Sequence, residues 1–101
     1  MSEQCALHLV SGSVQGSRAL EMCLQYSRPG DVLLFLQGGV ASMPWLDRRE
    51  FSDEVLVVYW LEADVRARGL AGLAEQEGWQ LVDDDGFVSL VELYSPVHTW
   101  T

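Results

Sequence analysis

Lysine is missing from this chain: its six basic residues are all arginine, and they stand against fifteen acidic ones. The resulting formal charge of -9 excludes nucleic-acid binding by the chain alone, because phosphate backbones are repelled rather than neutralised. Anionic membrane surfaces are excluded on the same ground. Cysteine is scarce as well. Cys5 and Cys23 are too few and too far apart for a zinc knuckle or a CxxC redox pair, and a cytosolic chain keeps them as thiols. No apolar stretch approaches the ~20 residues that span a bilayer. Met1-Ser2-Glu3-Gln4 carries no basic n-region of a secretory signal. The expectation from these absences is a cytoplasmic protein without a membrane segment.

What is present is a chain of 101 residues, 49% of them apolar, which fits one domain over 1–101 with a core of its own. Residues 5–10 (CALHLV) run apolar and suit a first strand, and Ser11-Gly12-Ser13 breaks it. From about Gln15 to Ser27, the residues Ala19, Leu20, Cys23 and Leu24 recur at helical spacing until Arg28-Pro29-Gly30 stops them. The continuous run Val32-Leu33-Leu34-Phe35-Leu36 predicts a strand covered on both faces, as in a parallel sheet. Residues 41–54 read as irregular. The β-branched and aromatic run 55–61 is the strongest strand, and 63–68 a short helix closed by Gly69. Residues 79–82 give a fourth strand, and Phe87, Leu90, Val91 and Tyr94 an amphipathic last helix ended by Pro96, with a tail to Trp100. This alternation predicts an α/β fold of three layers: a mostly parallel four-stranded sheet with helices on both faces.

Cys23 is the first candidate for chemistry. As a sulfur carrier it needs exposure and a depressed pKa. At i+4 from Ala19 and i+3 from Leu20 it reads instead as a small core residue, away from the positive end of its helix. Cys5, on the first strand, reads as core. Asp83-Asp84-Asp85 at a strand-to-helix junction offers oxygen ligands for magnesium, as in a receiver-like or flavodoxin-like module. Helix capping accounts for the same residues more simply. Gly38-Gly39 lacks the dinucleotide fingerprint, which belongs after the first strand. His8 reads as a satisfied core histidine, and His98 has no obvious base partner, so no nucleophile–base pair is placed. Asp64 and Arg68 are spaced for an i,i+4 pair. No metal or cofactor is expected. Met43, Trp45 and Phe51 in the irregular loop and Trp100 in the tail are candidate interface residues, because large apolar groups outside periodic elements often pack on a partner.

Three segments together resemble a known family. They are Leu34-Phe35-Leu36-Gln37-Gly38-Gly39-Val40, then Asp64-Val65-Arg66-Ala67-Arg68-Gly69-Leu70, then Val82-Asp83 with Phe87-Val88 and Leu90, ahead of a tail ending in Trp100. With the elements in order over nearly the whole chain, the sequence resembles the DsrH/TusB group of sulfur-relay subunits. Gly38 stands where that family frequently has Asp, and Asp84 where it frequently has Tyr. The resemblance implies a cytoplasmic heterohexamer with TusC/DsrF-like and TusD/DsrE-like subunits, which passes persulfide sulfur toward 2-thiouridine at the tRNA wobble position. In the related sulfur-oxidation complex the plan is the same. The sulfur-carrying cysteine of both lies on the TusD/DsrE-type subunit, which leaves the TusB/DsrH-type subunit mainly architectural and not an enzyme by itself. Cys23 lies where DsrH-type members carry a cysteine, so persulfide carriage on Cys23 is the alternative. Without its partners, an orphan apolar surface favours homo-oligomers.

Overall fold

The computed structural model describes residues 5–54 and 56–101. Five strands form one sheet, ordered β4-β3-β2-β1-β5 and parallel throughout. They are β1 (Leu7–Val10), β2 (Val32–Phe35), β3 (Val57–Leu61), β4 (Gln80–Val82) and β5 (Val97–Trp100). All four residues of the central β2 are fully buried, as its unbroken apolar run requires in a sheet covered on both sides.

The fifth strand corrects the four-stranded expectation. Residues 97–100, read as a tail, lie in register on β1 from Leu7↔Val97 to Val10↔Trp100. The amide of Leu7 donates to Pro96 O at 3.0 Å and that of Ser11 to Trp100 O at 2.9 Å, so the pairing is secured at both ends. Val, Thr and Trp favour a pleated, half-buried surface, and here β1 supplies the partner that sequence order hides.

Topology sets the layers. From β1 to β4 the chain steps across the sheet in one direction, and right-handed crossovers then place every connection on one face. These are α1 (Ala19–Tyr26), two stretches of 3₁₀ turns (Gln37–Trp45 and Arg48–Glu54), α2 (Glu62–Ala67) and α3 (Ala71–Glu77). The return from β4 to β5 runs the other way, which puts α4 (Asp84–Leu93) on the opposite face. Two cores result. The larger holds Cys23, Phe35, Met43, Phe51, Trp60 and Trp79, among others. The smaller holds Leu7, Val32, Leu34 and Leu90, with Phe87 and Tyr94 packed against it.

Residues 41–54, expected to be irregular, are helical turns that fold back on the larger core. Their close approach depends on Gly39: a Cβ there would run into the carbonyl of Val10. Helix α3 had no sequence assignment. It follows α2 after Gly69 and is closed by Gly78 in the left-handed conformation, φ 77°. The expected Asp64–Arg68 pair does not form. Asp64 instead accepts the amide of Gln37 at 2.6 Å, and the ion pair on α2 joins Arg66 to Glu62 at 3.2 Å.

Asp83 caps α4 as the sequence predicts, its Oδ1 accepting from the Gly86 amide at 2.7 Å. Asp83→Ala is expected to cost about 1 kcal/mol, lowering the melting temperature by roughly 4–8 °C. Thermal unfolding followed by circular dichroism measures it, and an unchanged midpoint contradicts the capping role.

Candidate functional site

Cys23 lies on the sheet side of α1, between Ala19 and Leu20 below it and the turn at Ser27, and it is fully buried. Its Sγ is 3.7 Å from Ser27 Oγ, and that hydroxyl donates to the Cys23 carbonyl at 2.7 Å. Burial pushes the thiol up to about 11. The Ser27 hydrogen bond works against that, and the negative charge of Asp31 adds to it. A thiol so placed is ionised on the order of one part in 10,000 at pH 7, whereas persulfide chemistry runs through an accessible thiolate. Cys23 is expected to react with a thiol reagent in the folded chain at least ~100-fold more slowly than in denaturant, because access requires opening of the core. Comparable rates in the two states would mean that the sulfur is reachable.

Next to it, the start of β2 and the edge at β5 build a polar cluster inside the fold. Asp31, the residue before the apolar run of β2, is buried and accepts three hydrogen bonds. The Ala6 amide donates to Oδ1 at 2.9 Å, and the Arg28 amide and His8 Nε2 donate to Oδ2 at 3.1 and 2.8 Å. Desolvation pushes this carboxyl upward, but the bonds from His8 and the two amides outweigh it and hold it below the ordinary aspartate value. The other nitrogen of His8 is also occupied: the Trp100 indole donates to Nδ1 at 3.1 Å. An indole N–H only donates, so Nδ1 accepts and the ring proton sits on Nε2, facing Asp31. His98 stacks on His8 with centroids 5.3 Å apart, and Tyr26 meets both rings edge-on.

A histidine oriented by a carboxylate is half of a general-base arrangement. Here the catalytic nitrogen is closed by Trp100, so the dyad fastens β5 and α1 to the sheet and leaves no ring nitrogen for a substrate. His8 is thus the satisfied core histidine that its neighbours predicted. Asp31, Tyr26 and His98 escaped that reading. A lone aspartate directly before a buried apolar strand was the available signal, since a buried carboxylate needs several donors.

The remaining candidates are distributed as follows. Met43 and Phe51, expected at an interface, are 1% and 4% exposed within the chain's own core, because the turns that carry them fold back. Trp100 is half-buried against His8. Trp45 is 61% exposed. Asp83, Asp84 and Asp85 all face solvent, and among the described residues no three His, Cys, Asp or Glu side chains gather as a metal ion requires. Among those residues, too, no helix is long and apolar enough to cross a membrane.

The second exposed feature is apolar. Among the described residues, α4 is the one helix on its face of the five-stranded sheet. Val88, Val91 and Leu93 on α4 and Val97 on β5 are 52, 40, 77 and 40% exposed. Val88 and Val91 lie one turn apart on the same side of α4, and exposed apolar groups so placed are what an assembly interface uses.

No curated protein matches the chain. Residues 13–97 match the profile of the family described as DsrH like protein. That match takes in every element from α1 to the start of β5, the enclosed Cys23 and the half-covered face included, and by it the chain belongs to the DsrH-like family of sulfur-relay subunits.

Proposed function

We propose that the chain is a non-catalytic, architectural subunit of a cytoplasmic sulfur relay. In this reading it assembles with TusC/DsrF-like and TusD/DsrE-like subunits into a heterohexamer, and persulfide sulfur moves through that complex toward 2-thiouridine at the tRNA wobble position. The enclosed sulfur of Cys23 carries the proposal, since it denies the chain the exposed thiolate that a carrier needs. The exposed valines of α4 and, on the other face of the sheet, the exposed Trp45 supply apolar surface of the kind a subunit docks with. Cys23 itself acts as packing between α1 and the sheet. The alternative host is the related sulfur-oxidation complex, whose DsrH-type members carry a cysteine at the place of Cys23.

Co-expression with both partner types tests assembly. The expected result is a stable complex that is lost in the Val88→Glu, Val91→Glu double variant, while the variant chain alone melts within about 1 kcal/mol of wild type. A chain that stays apart from both partners overturns the proposal. The pathway is read from the partner strain: loss of wobble thiolation on deletion supports the tRNA branch, and unchanged tRNA with lost sulfur oxidation supports the other.

A further inference from the structure

A cavity of about 440 Å³ opens where β3 and β4 begin, on the sheet edge away from the His8 cluster. Small-ligand pockets run from roughly 300 to 1,000 Å³. Its floor and walls are apolar: Phe51, Leu56, Val57, Val58 and the ring of Trp79. Among the described residues its charged lining consists of two guanidiniums, Arg48 and Arg49.

The two arginines differ. Arg49 is engaged by Asp47, Nη2 to Oδ2 at 2.9 Å. Arg48 donates one Nη1 hydrogen to the carbonyl of Gly78 at 3.1 Å and has no acidic partner among the described residues. Within a chain of formal charge -9, a guanidinium left without a carboxylate at the mouth of an apolar hollow is unexpected on electrostatic grounds. A second donor is also unspent. Trp79 is 7% exposed, and its Nε1 is buried with no hydrogen-bond acceptor among the described residues. Buried N–H groups are normally paired, and an orphan is costly. The cavity therefore presents the Arg48 guanidinium beside an apolar floor, with the buried Trp79 indole behind it. Asp47 and Glu77 line the adjoining hollow.

The geometry points to a binding site for a small carboxylate with an apolar body, such as a medium-chain acyl or arylalkyl acid. Its carboxylate would meet Arg48, and its hydrocarbon would lie over Val57, Val58 and Trp79. This site is separate from the Cys23 region and from the apolar surface of α4, so its fate leaves the relay proposal untouched.

The test is an NMR titration of the full chain with octanoate and with its neutral counterpart octanamide. Octanoate is expected to shift the amides of Val57, Val58 and Gly78 and the Trp79 indole proton in a saturable way. It should bind about 10-fold more tightly than octanamide, the margin of a charge-assisted hydrogen bond over a neutral one. Arg48→Gln should abolish that margin while leaving octanamide binding in place. Because Arg48 also holds the carbonyl end of α3, a poorly folded variant is set aside and the comparison of the two ligands on the wild type decides. Equal affinities, saturable shifts confined to other residues, or no saturable shift at these positions overturns the assignment.

Discussion

Trp60→Ala is expected to lower the melting temperature by roughly 15–30 °C, well beyond the effect of losing the Asp83 cap. Trp60 is fully buried at the centre of the larger core. Its ring stacks on Phe35 with centroids 4.1 Å apart and meets Trp79 edge-on at 5.0 Å, so it joins β2, β3 and the start of β4. Deleting it removes about 3–5 kcal/mol through lost transfer energy and the cavity left behind. Trp60→Phe separates packing from polarity. The Trp60 indole N–H has no acceptor among the described residues, so the smaller ring gives up volume but also removes an unsatisfied donor. The expected cost is under about 1.5 kcal/mol. Denaturant unfolding measures both variants, and equal losses for Ala and Phe would contradict the packing account.

Asp31→Ala is expected to destabilise by about 3 kcal/mol, because it leaves the Ala6 and Arg28 amides and His8 Nε2 without their acceptor. The same bonds give the fold a limit on its acid side. The carboxyl of Asp31 titrates below its ordinary value in the folded chain, while the unfolded chain holds it near ~3.9. Proton uptake therefore favours unfolding. The stability contributed by Asp31 is fully present above about pH 4 and is lost as the pH falls through the depressed folded value. Urea midpoints measured from about pH 7 down to about pH 2 should fall across that window in wild type and more shallowly in Asp31→Asn. A parallel decline in both places the acid sensitivity elsewhere.

Elements whose local pattern matches their tertiary environment were legible in the sequence. The apolar run of β2 implied cover on both faces, and it is buried throughout. Asp83, at a strand-to-helix junction, implied a cap, and it accepts from Gly86. The order of the elements implied parallel strands with helices on both faces, and the chain has that plan. Local pattern failed where a distant segment decides the structure. Residues 97–100 are a strand only because β1 offers an open edge to a segment far along the chain, as in the bond from Trp100 Nε1 to His8 Nδ1. Residues 37–54 lack a helical period, so nothing local shows that they pack Met43 and Phe51 inward; Gly39 against Val10 permits it. The polar cluster was half legible. His8 was read as a satisfied core histidine, but its partners Asp31 and Trp100 lie 23 and 92 residues away.

The account rests on Cys23 being packing rather than chemistry, and one measurement addresses that directly. The proposed complex of this chain with TusC/DsrF-like and TusD/DsrE-like subunits is purified and loaded from a persulfide donor, and each subunit is weighed by mass spectrometry. The expected result is added sulfur on the TusD-like subunit and none on this chain, with a Cys23→Ser complex that assembles and passes sulfur at the wild-type rate. Added sulfur on this chain that disappears in Cys23→Ser, together with stalled transfer, would contradict it.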